Sequence, residues 1–330
     1  MNIGLLDVDS HHYPNLPLMK LSAYHKNNGD NVEMLLPLKH YDKVYVSKVF
    51  GDEYSQMIDF TPNADEVVYG GSGFAVSISD GKEIYDKSKD KPLSDDIEHI
   101  YPDYSLYSEL TNNKAFGFLT RGCCNNCGFC IVSKKEGLCS KQVADLSEFW
   151  HGQTVIDLLD ANILACRDRE HLLNQLCASK AKVIFSQGLD ARFIDRDTAL
   201  LLNKIKRDKT HFAFDSMKNE MAVLKGLGEY NRVCVANSRK DIVYILVNYD
   251  TSIEEDIYRI RKVVEMGFLP DVRVYRKPSA PQILRDLQRW CNNRILYRSV
   301  DFEEYIPRKS VGLSMKLMYP EYDLRIFNSY

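Results

Sequence analysis

After residue 113 the sequence alternates short apolar runs with helix-patterned stretches, and this alternation restricts the chain to a narrow set of folds. The runs fall at Ala115 to Thr120, Val155 to Leu159, Val183 to Ser186, His211 to Phe214, Ile242 to Val247 and Val272 to Tyr275. Each has strand length, and a strand joined to the next through a helix must cross over, which makes neighbouring strands parallel. The clearest helix signal has Ser252 and Glu255 as a capping box, apolar positions at Ile257, Ile260, Val263 and Val264, and Gly267 as its stop. Six such units predict an open, partial (β/α)6 TIM barrel over residues 113–295, with helices outside and functional loops at the C-terminal ends of the strands.

Residues 1–80 carry a smaller version of the same pattern. Strand-like runs at Ile3 to Val8, Val32 to Leu36, Val44 to Val49 and Glu66 to Tyr69 enclose a helix-like stretch with Leu16, Leu18 and Met19 on its apolar face and Gly29 as its stop. The fold class expected is therefore α/β, a Rossmann-like parallel α/β domain followed by the partial barrel. Residues 81–112 lack periodicity and read as a linker, and 296–330 read as a C-terminal extension. Gly70-Gly71-Ser72-Gly73 follows a strand, but a full G-x-G-x-x-G is absent and a tight turn is preferred to a phosphate cradle.

Composition narrows the class of protein. A chain of 330 residues with 45% hydrophobic content builds a sizeable core, and a net charge of −3 gives no general drive toward nucleic acid. The start, Met1 to Leu6, lacks the basic lead of a secretory leader, and no apolar run is long enough to span a bilayer. The nine cysteines, an odd number, then favour a reducing compartment over a disulfide framework. A cytoplasmic location without membrane contact is expected.

Four of those cysteines fall within eight positions, in Arg121-Gly122-Cys123-Cys124-Asn125-Asn126-Cys127-Gly128-Phe129-Cys130. Thiolates are soft ligands that suit iron-sulfur clusters and zinc, and the spacing Cys123-x3-Cys127-x2-Cys130 lets three sulfurs on one loop converge. Three ligands leave one iron of a 4Fe-4S cube open to a substrate or cofactor. Cys124, Cys127 and Cys130 also match the start of a ferredoxin-type run, but its last position is Lys134. The rival reading is a structural zinc site, for which a second Cys or Cys/His pair is missing downstream. Cys139, Cys166, Cys177, Cys234 and Cys291 read as small buried hydrophobes in preference to ligands of an auxiliary cluster, and Cys124 as a bystander. Lys134, Lys135 and Glu136, just after the loop, could tune its charge or bind a reductant, but a solvent-exposed turn is preferred.

At Cys123, Cys127, Phe129 and Cys130 the chain resembles the radical S-adenosylmethionine (SAM) superfamily, whose signature is C-x3-C-x-aromatic-C. The run Ala115 to Leu119 followed by Thr-Arg-Gly is similar to the first barrel strand and turn of the branch with an N-terminal cobalamin-binding-like domain. The resemblance implies a 4Fe-4S cluster held by Cys123, Cys127 and Cys130, whose open iron chelates SAM. Reductive cleavage to a 5'-deoxyadenosyl radical would follow, with an electron donor such as a flavodoxin or ferredoxin. Of that branch's D-x-H-x-x-G corrinoid signature, Asp9-Ser10-His11 is present and Pro14 stands where Gly belongs. The N-terminal segment is thus read as a degenerate module for substrate or a partner, with cobalamin the lesser option. The overall pattern is similar to a phage-associated group of the superfamily, which implies no particular small-molecule or polymer substrate.

Polar residues ending consecutive strands point toward a barrel mouth and suit a polar cofactor. Asp160 and Asn162 follow the second strand, where family members contact the SAM amino group. Gln187, Asp190 and Arg192 follow the third, and the resemblance gives Arg192 the SAM carboxylate as partner. Asp215 and Ser216 end the fourth, for ribose hydroxyls or the amine, and Asn248 follows the fifth, for the adenine. Each also has a plain reading as a helix cap. The run Arg289 to Tyr305 mixes aromatic and basic residues that could stack on nucleic acid, although a helix covering the open barrel edge is preferred. The rivals to a radical enzyme are a non-catalytic zinc or iron-sulfur protein and a nucleic-acid-binding module.

Overall fold

The computed structural model describes residues 1–330 apart from 11, 52–54, 56–58, 80, 81 and 328–330, so the Asp9-Ser10-His11 motif lies outside the described residues at His11. The protein is mixed α/β with parallel sheets, and the chain divides into two compact units, Met1–Asp168 and Arg169–Tyr330. Among the described residues no helix is long and apolar enough to cross a membrane.

The first unit opens with β1 (Asn2–Asp7), β2 (Asn31–Met34), β3 (Tyr41–Ser47) and β4 (Ala64–Gly70), all parallel, in the order β2-β1-β3-β4. Helix Leu16–Asn27 makes the crossover from β1 to β2. Asn15 caps it by accepting the Leu18 amide at 3.3 Å, and Gly29 at φ +80° lets the chain turn back. Ile3 and Leu5 pack with Leu18 and Leu21 on one face of the sheet, while Tyr41, Val44 and Val46 pack with Leu6 and Phe74 on the other. Cover on both faces is why these strands read as runs instead of as alternations. The Gly70–Gly73 segment is a tight turn pressed onto the chain after β3. A Cβ on Gly71 would lie 2.3 Å from the Lys48 carbonyl oxygen, and one on Gly73 would lie 2.3 Å from that of Phe50.

The stretch without periodicity opens with β6 (Lys82–Tyr85), which pairs antiparallel with the preceding β5 (Val76–Ser79). Beyond it, polar side chains fasten the chain to the first helix and strand. Lys20 Nζ donates to Glu98 Oε1 at 2.9 Å, Ser22 Oγ to Asp103 Oδ2 at 2.6 Å, and Tyr107 Oη to Asp7 Oδ2 at 2.6 Å. Side-chain fastening of this kind leaves no apolar rhythm in the sequence. The unit ends with β7 (Lys114–Gly117), β8 (Thr120–Arg121), β9 (Lys141–Gln142) and β10 (Val155–Leu158). Of these, β7 and β10 pair in parallel, and β8 and β9 pair antiparallel.

The second unit contributes β11 (Lys182–Leu189), β12 (Arg207–Ala213), β13 (Asp241–Val247) and β14 (Leu269–Val274). The pairs β11/β12, β12/β13 and β13/β14 are parallel. The strand β11 runs three residues past its expected end at Ser186. Phe185 pairs with Thr210 but Leu189 with Phe212, so the added residues bulge out of the ladder, and Gly188 at φ +92° permits the turn. Helix Ile253–Glu265 has its expected capping box, with the Ser252 amide donating to Glu255 Oε2 at 2.9 Å and the Glu255 amide to Ser252 Oγ at 3.3 Å.

The outer edge of β14 is covered by helix Gln282–Asn292. The Val272 amide donates to Asn292 Oδ1 at 2.8 Å, and the Val272 carbonyl accepts from Asn292 Nδ2 at 2.9 Å and Gln288 Nε2 at 3.1 Å. Two side-chain amides thus imitate a neighbouring strand. The aromatics of this region turn inward: Trp290 is fully buried against Tyr297 and Phe302, and its Nε1 donates to the Val300 carbonyl at 2.9 Å.

Candidate functional site

The cysteine run lies in an excursion, residues 122–140, that leaves the fold after β8 and returns at β9. The ladder at its base pairs Thr120 with Gln142 and Arg121 with Lys141. Gly122 turns the chain into it at φ +89°. A Cβ there would lie 2.3 Å from the Cys139 carbonyl oxygen, so only glycine lets the outgoing and returning arms come so close. The Cys123 amide donates to the Gly137 carbonyl at 3.2 Å, and the Cys130 amide closes a turn on the Cys127 carbonyl at 3.0 Å. Cys123, Cys127 and Cys130 are half-buried, whereas Cys124 is exposed, and so is Cys139, which is therefore not the buried hydrophobe expected of it.

Three side chains hold the root of this excursion. Asp160, after β10, is 4% exposed. Its carboxylate accepts the Leu119 amide at 3.2 Å, the Thr120 amide at 2.5 Å and the Thr120 hydroxyl at 2.7 Å. Burial pushes this carboxyl up to about 6, against the pull of the Thr120 hydroxyl and the two amides. Glu136 accepts the Gly122 amide at 3.0 Å and pairs with Arg121 at 3.2 Å. Arg121 also lies 3.5 Å from Glu98 and stacks over the Phe118 ring at 4.0 Å. Glu136 is therefore a structural anchor and not part of an exposed turn; a glutamate fourteen residues from its amide partner carries no local signal that would have revealed it.

Asn162 is the predicted residue that the structure brings to the cysteines. Its Nδ2 lies 3.5 Å from Cys123 Sγ, and the Asn125 backbone amide reaches the same sulfur at 3.5 Å. Among the described residues no three His, Cys, Asp or Glu side chains are gathered at metal-holding distance. The donor set nevertheless suits an iron-sulfur cluster in its chemistry. It offers three soft thiols on one short loop, and N–H groups aimed at a sulfur that would carry negative charge as a thiolate.

The other predicted residues belong to the second unit. Gln187 is exposed on the β11 bulge. Arg192 forks onto Asp190, with Nε to Oδ1 at 2.8 Å and Nη2 to Oδ2 at 2.6 Å. Helix Glu220–Cys234 presses on this turn at Gly226, where a Cβ would fall 1.7 Å from the Ala191 carbonyl oxygen. Asp215 accepts the Leu246 amide at 3.1 Å. Burial raises its carboxyl above the ordinary range, partly offset by that amide and by Arg259 and Arg192. Ser216 accepts the Lys218 amide at 3.2 Å as a cap, and Asn248, at φ +66°, donates to the Tyr275 carbonyl at 2.7 Å.

Arg259 escaped the sequence reading. Fully buried, it donates to the Phe214 carbonyl at 2.6 Å, the Leu246 carbonyl at 2.8 Å and Asp256 at 2.5 Å, tying together the chain beside Asp215. An arginine between apolar helix positions looks the same in sequence whether it snorkels or is buried. No protein-family model matches the chain, and no curated protein matches it either. The case for a function rests on the residues themselves.

Proposed function

We propose that the protein is a cytoplasmic radical SAM enzyme, with an N-terminal Rossmann-like domain and a partial barrel as its catalytic framework. The observation that carries the reading is the cysteine excursion between β8 and β9: three thiols at the spacing Cys123-x3-Cys127-x2-Cys130, with two N–H donors on the first of them. Cys123, Cys127 and Cys130 would hold a 4Fe-4S cluster. When bound, such a cluster supplies an electron and an open coordination position for the reductive cleavage of SAM that starts hydrogen abstraction from a substrate. The chain's own part is to orient. Gly122, Asp160 and Glu136 fix the path of the loop root, so the thiols are presented from a preformed base. In the second unit, the Asp190–Arg192 pair offers a guanidinium for a carboxylate, while Asp215, Ser216, Gln187 and Asn248 offer hydrogen-bonding groups for an amine, a ribose or a base.

The test is anaerobic reconstitution with iron and sulfide, followed by dithionite and SAM. The reading expects about four irons per chain and the accumulation of 5'-deoxyadenosine. A lone tetrahedral zinc, or a cluster with all four corners held by protein side chains, would refute it.

A further inference from the structure

We infer that Asn162 sets the reduction potential of the cluster through its side-chain amide, as a positioning residue acting on Cys123. The inference rests on the cluster reading above and goes beyond it in assigning this residue a job other than contact with SAM.

The orientation of the amide follows from its surroundings. Asn162 is 2% exposed, and its Oδ1 accepts the Ala165 amide at 3.2 Å as it caps the turn Ile163–Ala165. A backbone N–H can only donate, so that position must be the oxygen, and the NH2 group is the end left to face Cys123 Sγ at 3.5 Å. The residue is held from its other side as well, since its backbone carbonyl accepts Ser140 Oγ at 2.8 Å. Ser140 closes the cysteine excursion, so donor and sulfur are fixed to the same short piece of structure.

The chemistry follows from charge. Reduction adds an electron to a cluster whose sulfurs already carry negative charge, and an N–H donor on a ligand sulfur stabilises that extra charge. Removing the donor therefore moves the potential in the negative direction and makes the cluster harder to reduce. The resemblance assigns this stretch to the SAM amine, but here the amide is already committed to the ligand sulfur.

The experiment compares anaerobically reconstituted full-length protein with its Asn162→Ala and Asn162→Asp variants, measuring iron per chain and the midpoint potential in a redox titration followed by visible absorbance. Asn162→Asp keeps the oxygen that caps Ala165 but exchanges the donor for a carboxylate. Both variants are expected to load iron as the wild type does and to titrate at more negative potential, Asp further than Ala. Unmoved potentials at full iron loading would overturn the inference while leaving the cluster reading intact. Failure of Asn162→Asp to load iron would also overturn it, marking the residue as a structural prop. A wild-type chain that takes up no reducible cluster would remove both the inference and its parent reading.

Discussion

Asn162 Nδ2 and Cys123 Sγ lie 3.5 Å apart although 39 residues separate them in the chain. Cys124, next in sequence to Cys123, is instead exposed. The two adjacent thiols should therefore behave differently. Cys123→Ala is expected to lose most of the visible absorbance and iron of the reconstituted protein, and Cys124→Ala to keep both. Iron analysis of the two variants checks this, and the reverse result would reassign the ligands.

Asp160 gives the protein a pH-dependent stability. Its folded carboxyl titrates at about 6, above the ordinary value near 3.9, so between these limits the folded state holds a proton that the unfolded state has released. The contribution is present in full below about pH 4 and is lost as pH rises through 6, amounting to roughly 3 kcal/mol. Asp160→Asn should flatten that slope. Urea denaturation of both proteins at a series of pH values measures the difference.

Arg259 and Asp256 form a pair with side-chain exposures of 0% and 1%. Arg259→Met leaves the buried Asp256 carboxylate with the Thr251 hydroxyl but no counter-charge and strands two carbonyl acceptors, and is expected to destabilise by about 3–5 kcal/mol. The double variant with Asp256→Leu should recover only part of that loss, because the Phe214 and Leu246 carbonyls still lack their donor. Denaturation midpoints of the singles and the double give the coupling.

Gly226→Ala places a methyl group where the Ala191 carbonyl stands, at 1.7 Å. Backbone must shift, and a loss of at least about 3 kcal/mol is expected. The displaced turn carries Asp190 and Arg192, so under the proposed radical SAM function the affinity for SAM, measured by calorimetry on the surviving folded fraction, should fall as well. Unchanged stability would mean that the helix can slide without disturbing the turn.

Asn292→Ala uncovers the Val272 amide at the rim of β14, which should destabilise by about 1–3 kcal/mol. It should also promote association between chains, since an uncovered strand edge is a template for pairing. Light scattering during mild heating reads the second effect separately from the first.

Strands such as β1 and β13 are legible in the sequence because each is an apolar run bounded by turn residues, whereas β12 begins at Arg207, four residues before its apolar run, because its first half is polar. Two further features are not legible, for different reasons. The overrun of β11 depends on Gly188, which looks like a strand terminator until its positive φ is seen to make a bulge. The segment after Tyr85 is ordered by Ser22, Lys20 and Tyr107 reaching across chain separations of 78 to 100 residues, and no local window contains such partners. At the candidate site the types of residue are readable but their partners are not. Asp160 and Asn162 stand two apart in sequence, yet one grips the root of the loop and the other reaches a sulfur.

The short ladder between Thr120 and Gln142 sits below the cysteines and does not include them. Were the proposed cluster seated there, the residues that close its base would not be the ones that hold it. Damage by oxygen would then empty the excursion without unravelling what carries it, leaving a chain that can be refilled.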